Sequence, residues 1–529
     1  MRKNLIALSV AAFVGGLGMA GSATASVIGG APATADSESV RQSGTGHQLI
    51  VPYFNTQVGN ATLFNIVNTD VTNGKAVKIR FRGASNSDDV FDFTLLMSPG
   101  DVWTANISQG PNGVSRLTTV DKSCTLPAVV SGSDFVTARL PQTLTGDALA
   151  TQTREGYIEV FNMADINPGT ALFTAVKHVA GTPPCSTNAA GLAALNALQG
   201  NPTTTAAANA IGLFNPTTGL MANWTIVNVP KSGSATGEAT AITATVAATR
   251  TPGVGNIVFF PQIGGAAPTP DLFTADPSFR TVAGAAAGQV SNGAGAAFGG
   301  TVPMIAAQFF DLPDLSTPYL LTTPGTVATD PGTYVTLLQK ALATSSVTNE
   351  FLTDTTINAF TDWTFSSPTR RYGVVVDYRP LTASPAGPAL RAFDAGNIFW
   401  DATNTSVTGF QVCTTTGGVT FRDREETTAA GSSFVISPNP PTPAFSLCGE
   451  VSVLTFNSAG SSVLGAAVAR TNFSTIAGST VIRDGWAVVS LPGATGVGLP
   501  LVGKSFSSAA TGTFNLGGSW EHRYVPTFP

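Results

Sequence analysis

From Gln48 onward the chain alternates short apolar runs with turn signals, and that rhythm predicts strands. Gln48 to Phe54, Ala61 to Asn68, Lys75 to Phe81, Phe91 to Met97 and Val102 to Ile107 each read as a β-strand. Asn73-Gly74 and Pro99-Gly100 supply turns, because Asn and Gly tolerate the positive φ that tight turns need. The pattern continues through Asp134 to Leu140 and Gly156 to Asn162. It predicts a mainly β fold of immunoglobulin-like antiparallel β-sandwich domains with a few short helices in the connections. Ala189 to Leu198 reads as a helix starting near Ser186 or Thr187 and closed by Gly200. Tyr334 to Leu342 reads as a second helix, with Val335, Leu338 and Leu342 on one face. Trp224 to Val229, Ala239 to Ala248, Tyr372 to Tyr378, Gly418 to Arg422, Val451 to Phe456 and Trp486 to Leu491 return to strand patterning.

These runs divide the chain into 1–25, a signal peptide, and 26–46, a small, polar, flexible lead-in. A β-sandwich domain over 47–184 follows. Then come a β-rich middle region over 185–354, with an Ala-rich helix and uncharged Gly/Ala/Thr tracts, and a C-terminal β-rich domain over 355–529. The signal reading rests on the basic start Arg2-Lys3, the apolar run from Leu5 to Met19 and the small residues Ala23-Thr24-Ala25 before Ser26. That apolar run is shorter than the roughly 20 residues that span a bilayer. The expectation is therefore an exported chain at the cell surface or outside the cell, the periplasm being the alternative.

Composition narrows the partners. Lys and Arg number 26 and Asp and Glu 31. Cleavage after Ala25 would remove Arg2 and Lys3, leaving 24 − 31 = −7. With no basic cluster, nucleic acid is not an expected partner. Charged residues make up 11% of the chain, against roughly 25% in ordinary soluble proteins. A surface carried by hydroxyls and amides repels its own copies weakly, so the expected partners are the chain itself or other envelope components, surface polysaccharide included. No membrane span is expected in the mature chain, and the Pro-ended Thr527-Phe528-Pro529 is a poor closing strand for a barrel.

Four cysteines, Cys124, Cys185, Cys413 and Cys448, fit disulfides in an oxidising compartment. More than one pairing is open. The local one, Cys124–Cys185 with Cys413–Cys448, places a bridge in each half, whereas none has the close spacing of a zinc site.

Catalytic motifs are not evident. His47, His178 and His522 lie in no recognisable motif, and Gln289 stands where a serine-hydrolase elbow around Ser291 needs glycine. Carboxylate clusters are the remaining candidates: Asp88, Asp89 and Asp92; Asp311 and Asp314; Asp423 with Glu425 and Glu426 beside Arg422 and Arg424. Calcium takes several loop oxygens, so Asp88, Asp89 and Asp92 are the candidate ligands for it. No other cofactor is expected. The plainer reading makes these solvated turn carboxylates, with Arg80 and Arg82 pairing to Asp88 or Asp89 across a turn. Trp103 and Trp486 are expected to fill sandwich cores.

Several stretches resemble a proteobacterial family described only as exported cell-surface proteins. They include Ala61 to Thr69, Lys78 to Gly83 leading to Asn86 to Val90, Ser98 to Ala105, Glu155 to Val160, Thr361 to Phe365 with Pro368 to Arg371, Gly485 to Ala487 and Gly517 to Tyr524. The resemblance spans most of the mature chain and implies no catalytic residue. The expected function is that of a non-enzymatic structural or interaction protein of the bacterial surface, of a self-assembling, surface-layer type. The alternatives are an adhesin or polysaccharide-binding module and, third, a secreted carbohydrate-active enzyme.

Overall fold

The computed structural model describes residues 27–259 and 313–528, apart from 30–31, 42–43, 128–131, 138–139, 142, 201, 324–325, 328–330, 378–389, 394–396, 426–427, 430–444, 458–461, 478–479 and 512–513. The expected signal segment, the 281–310 tract, Asp311 and Glu426 lie outside the described residues.

The fold is mainly β, built as two sandwiches. Strands of the first are β1 (Ser37–Arg41), β2 (Gln48–Asn55), β3 (Asn60–Asn68), β4 (Gly74–Gly83), β5 (Asp89–Met97), β6 (Val102–Gln109), β7 (Ser115–Thr118), β8 (Cys124–Leu126), β9 (Ser133–Asp134), β10 (Glu155–Ile166), β11 (Leu213–Phe214), β12 (Leu220–Asn228), β13 (Gly233–Glu238), β14 (Thr240–Val246) and β15 (Thr251–Pro252). One sheet runs β1-β14-β2-β10-β4-β5-β8, with β11 on β10 and β15 on β14. The other runs β13-β12-β3-β6-β7-β9. Alternation sets the faces: Phe64, Ile66, Trp103, Ala105, Ile107, Ala222 and Ile226 are buried, while Leu63 and Val102 face out. Trp103 packs on Phe64 of its own sheet and on Phe93 of the opposite one, at 6.2 and 5.5 Å between ring centres. It fills the core as expected.

Three features depart from the sequence reading. The strands of 213–252 pair with β2, β3 and β10, so the first sandwich runs well past residue 184. Residues 37–41, inside the expected lead-in, form β1 on the edge of β14, whose backbone groups would otherwise lack partners. The strand expected over 134–140 shrinks to Ser133–Asp134, because the chain changes sheets there: Phe135 N–H donates to Ser115 of β7 and Val136 N–H to Val90 of β5.

The second sandwich begins at 343. One sheet orders Thr428–Ala429, Gly418–Arg422, Asp484–Ser490, Ala343–Leu352 and Leu499–Pro500, with Arg523–Pro526 also on Ala343–Leu352. The other orders Arg470–Phe473, Val451–Phe456, Ala359–Ser366, Lys504–Thr511 and Phe514–Glu521, its first pair parallel. Phe351 and Phe456 stack across the layers at 4.9 Å.

Helix Ala189–Ala197 forms where expected, but Asn188 caps it, accepting from Gly191 N–H at 2.7 Å. Helix Pro331–Leu342 buries Tyr334, Val335, Leu338 and Leu342. The bridges are Cys124–Cys185 and Cys413–Cys448, the local pairing. On the loop-entropy account each stabilises by roughly 4 kcal/mol. Among the described residues no helix is long and apolar enough to cross a membrane.

His522 is a structural residue. Its ring lies 5.3 Å from Trp363 and from Phe365. Nε2–H donates to the Thr364 carbonyl at 3.1 Å, so Nδ1 is the acceptor for Asn349 Nδ2 at 3.0 Å. Burial drives its pKa down to about 3, and that of buried His47 likewise to about 3. Protons then bind the unfolded chain first, so the neutral ring's contribution is full above about pH 6.5 and is lost as pH falls toward 3. Glu38 and Asp362, raised by burial to about 8 and about 6, act in the opposite sense. The His522 share is therefore read as a difference: the stability gap between wild type and His522→Gln should narrow from pH 6.5 to 4 in urea unfolding. A constant gap would refute the assignment.

Candidate functional site

Of the carboxylates singled out by the sequence, Asp88, Asp89, Asp92 and Asp314 are buried near the junction between the sandwiches, whereas Asp423 and Glu425 lie on the second sandwich, the first partly exposed and the second exposed. β2, β4 and β10 are buried along their whole lengths, on both faces. In β4, Val77, Ile79 and Phe81 belong to the apolar core, while Lys78, Arg80 and Arg82 alternate with them, equally buried. Register sets Arg80 between Asp92 of β5 and Glu159 of β10. Lys78 Nζ lies 2.6 Å from Asp92 Oδ1, and Arg80 bonds Asp89 through Nη1, which is also 3.5 Å from Asp92. Arg82 reaches Glu159 at 3.4 Å, Asp89 at 3.7 Å and Asp314 at 4.0 Å. Arg371 meets the same Asp314 at 3.7 Å.

The expected pairing of Arg80 and Arg82 with Asp89 is thus present, but in a dry interface and not at a solvated turn. Asp88 is buried too, and its carbonyl oxygen accepts from Gly83 N–H at 2.8 Å, closing the β4–β5 turn. Burial raises the pKa of Asp92, against the pull of Lys78, and raises that of Glu159 against Arg82. Asp89 and Asp92 therefore face guanidinium and ammonium groups where a calcium ion would need open oxygens. Among the described residues no group of three or more His, Cys, Asp or Glu side chains is arranged to hold a metal.

Two residues tie this network to the second sandwich. Arg370 donates through Nη1 to the carbonyls of Val412 and Gly449, each at 2.8 Å, and through Nη2 to Ser85 of the first sandwich at 3.4 Å. Its Nη2 lies 2.6 Å from Glu450, whose other oxygen accepts from Arg371 N–H at 2.7 Å. Glu155 of β10 works in the opposite direction. It accepts from the backbone N–H groups of Ala467 at 2.7 Å, Val468 at 2.8 Å and Ala469 at 3.3 Å, and from Gln57 at 3.0 Å. Burial still raises its pKa. The chemistry here is that of a weld between domains.

Open surfaces lie elsewhere. On the outer face of the six-stranded sheet, a shallow trough of about 630 Å³ is lined by Leu63, Asn65, Val102, Thr104, Asn106 and Thr225 among others, none of them charged. On the second sandwich, a groove of about 490 Å³ is lined by Trp486, Trp520, Asp423, Asp484, Glu350 and Arg424 among others. Trp486 was expected in the core, yet it is 39% exposed. Ala487 and Val489 take the inward positions of that strand, so the period of two turns Trp486 out. His47 and His522 are buried in separate places, and His178 Nδ1 lies 3.4 Å from Ser98 Oγ and 3.9 Å from Asp101 Oδ2. Comparison with protein-family models, with curated proteins and with solved structures finds no match.

Proposed function

We propose that this is a non-enzymatic structural or interaction protein of the bacterial cell surface, and that its copies associate through the outer face of the six-stranded sheet. The uncharged trough on that face carries the reading. Leu63 and Val102 are 46% and 47% exposed there, among Asn65, Thr104, Asn106 and Thr225. The chain as a whole is acidic, so two copies meeting elsewhere bring like charges together. Meeting here they desolvate only hydroxyls, amides and methyls, which can pair or pack with their own kind. A surface location is supported by the secretory-type N-terminus, by two disulfides and by the motif resemblance to exported cell-surface proteins. The buried weld between the sandwiches suits a tile that must keep its shape while carrying lateral contacts.

Sedimentation velocity of the mature chain, residues 26–529, tests this. Dimers or larger species should appear as concentration rises, and Leu63→Glu should weaken association by about tenfold or more, since it sets a charge in the contact. A chain that stays monomeric at every concentration, with and without calcium, contradicts the proposal.

A further inference from the structure

The groove on the second sandwich is built differently from the trough. Its walls come from both sheets of that sandwich: Glu350 and Leu352 from Ala343–Leu352, Asp484 and Trp486 from Asp484–Ser490, Ser505 and Ser507 from Lys504–Thr511, and Trp520 from Phe514–Glu521. Trp520 is 50% exposed. Its ring folds back over Gly518, where a Cβ would meet ring carbon Cη2 at 2.8 Å, so the glycine lets the indole lie along the strand. Trp486 is held from one side by Arg422, whose guanidinium lies 5.7 Å from the ring centre. Two indoles fixed by their own strands line one opening.

Polar groups converge on the same opening. Arg424 Nε lies 2.6 Å from Asp484 Oδ2, and both residues line the groove. Asp423 and Glu350 add acceptors. Ser505 is 1% exposed, lines the groove, and its Oγ has no hydrogen-bond partner among the described residues.

We propose that this groove binds a neutral saccharide, a pyranose stacking on the exposed indoles with its hydroxyls bonded to Asp484, Asp423 and Glu350. Aromatic rings offer an apolar face to the C–H face of a sugar, while carboxylates and hydroxyls accept and donate around its rim. Charge selects the class. Glu350, Asp423 and Asp484 outnumber Arg424 in the lining, so an anionic polysaccharide would meet net repulsion. Binding here is independent of the self-association face on the first sandwich, and failure of one leaves the other standing.

The test titrates the mature chain, by tryptophan fluorescence and calorimetry, with hexaoses of β-1,4-glucose, α-1,4-glucose and β-1,4-N-acetylglucosamine, and with hexagalacturonate as the anionic probe. At least one neutral hexaose should bind and the anionic one should bind more weakly. Trp520→Ala should lower that affinity about tenfold or more with the circular dichroism spectrum unchanged, Trp520→Phe should retain most of it, and Asp484→Asn should weaken it. Three results would overturn the proposal: no binding of any neutral hexaose up to about 10 mM, preference for the galacturonate, or affinity indifferent to Trp520→Ala.

Discussion

Arg370→Ala should lower the free energy of unfolding by about 3–5 kcal/mol, among the largest effects available to a single side chain in this protein. The guanidinium reaches Ser85 in the first sandwich, Val412 and Gly449 in the second, and the buried carboxylate of Glu450. Truncation leaves that carboxylate without its charged partner and deprives the Val412 and Gly449 carbonyls of this donor, in a place that water does not reach freely. Arg370→Lys should recover only a minor part, because an ammonium cannot reproduce the planar fork. Urea unfolding of the mature chain measures both. A loss below about 1 kcal/mol for the alanine variant would mean that the junction is not held by this network.

Gly156→Ala should cost about 3 kcal/mol and sharply reduce soluble yield. Gly156 opens β10, the strand paired with both β2 and β4. A Cβ there would overlap the Arg82 carbonyl oxygen of β4 and come within 2.8 Å of the Phe54 ring of β2. Neither neighbour can move without shifting a paired strand at the floor of the junction, beside Glu155. Gly200→Ala is the matched control, since nothing lies within 4 Å of a Cβ built there. It should change stability by less than about 0.5 kcal/mol. Equal effects of the two substitutions, read as urea midpoints, would contradict the packing argument.

Much of the β architecture was legible in the sequence, because strands such as Leu220–Asn228 keep a period of two, with Leu220, Ala222, Trp224 and Ile226 on the buried face. The disulfide pairing was legible as the local option. What local pattern could not give was the destination of a polar face. Lys78, Arg80 and Arg82 alternate with Val77, Ile79 and Phe81 as they would in a strand with one wet side. Their carboxylate partners Glu159 and Asp314, and the Arg370–Glu450 pair beyond them, lie far along the chain, and no spacing rule joins them. For the same reason Asp88, Asp89 and Asp92 read as solvated turn carboxylates, whereas all three are buried. Trp486 was misplaced for a different reason, and one the sequence did contain. Counting by two from Ala487 and Val489 turns it outward.

Self-association at the cell surface requires first that the chain leave the cytoplasm. Fractionation of producing cells, with mass measurement of the recovered chain and protease added to intact cells, tests it most directly. A chain beginning at Ser26, with both disulfides formed, should be recovered at the surface and removed by the external protease. A chain retaining Met1 to Ala25 with reduced cysteines, confined to the cytoplasm and protected from that protease, would contradict it.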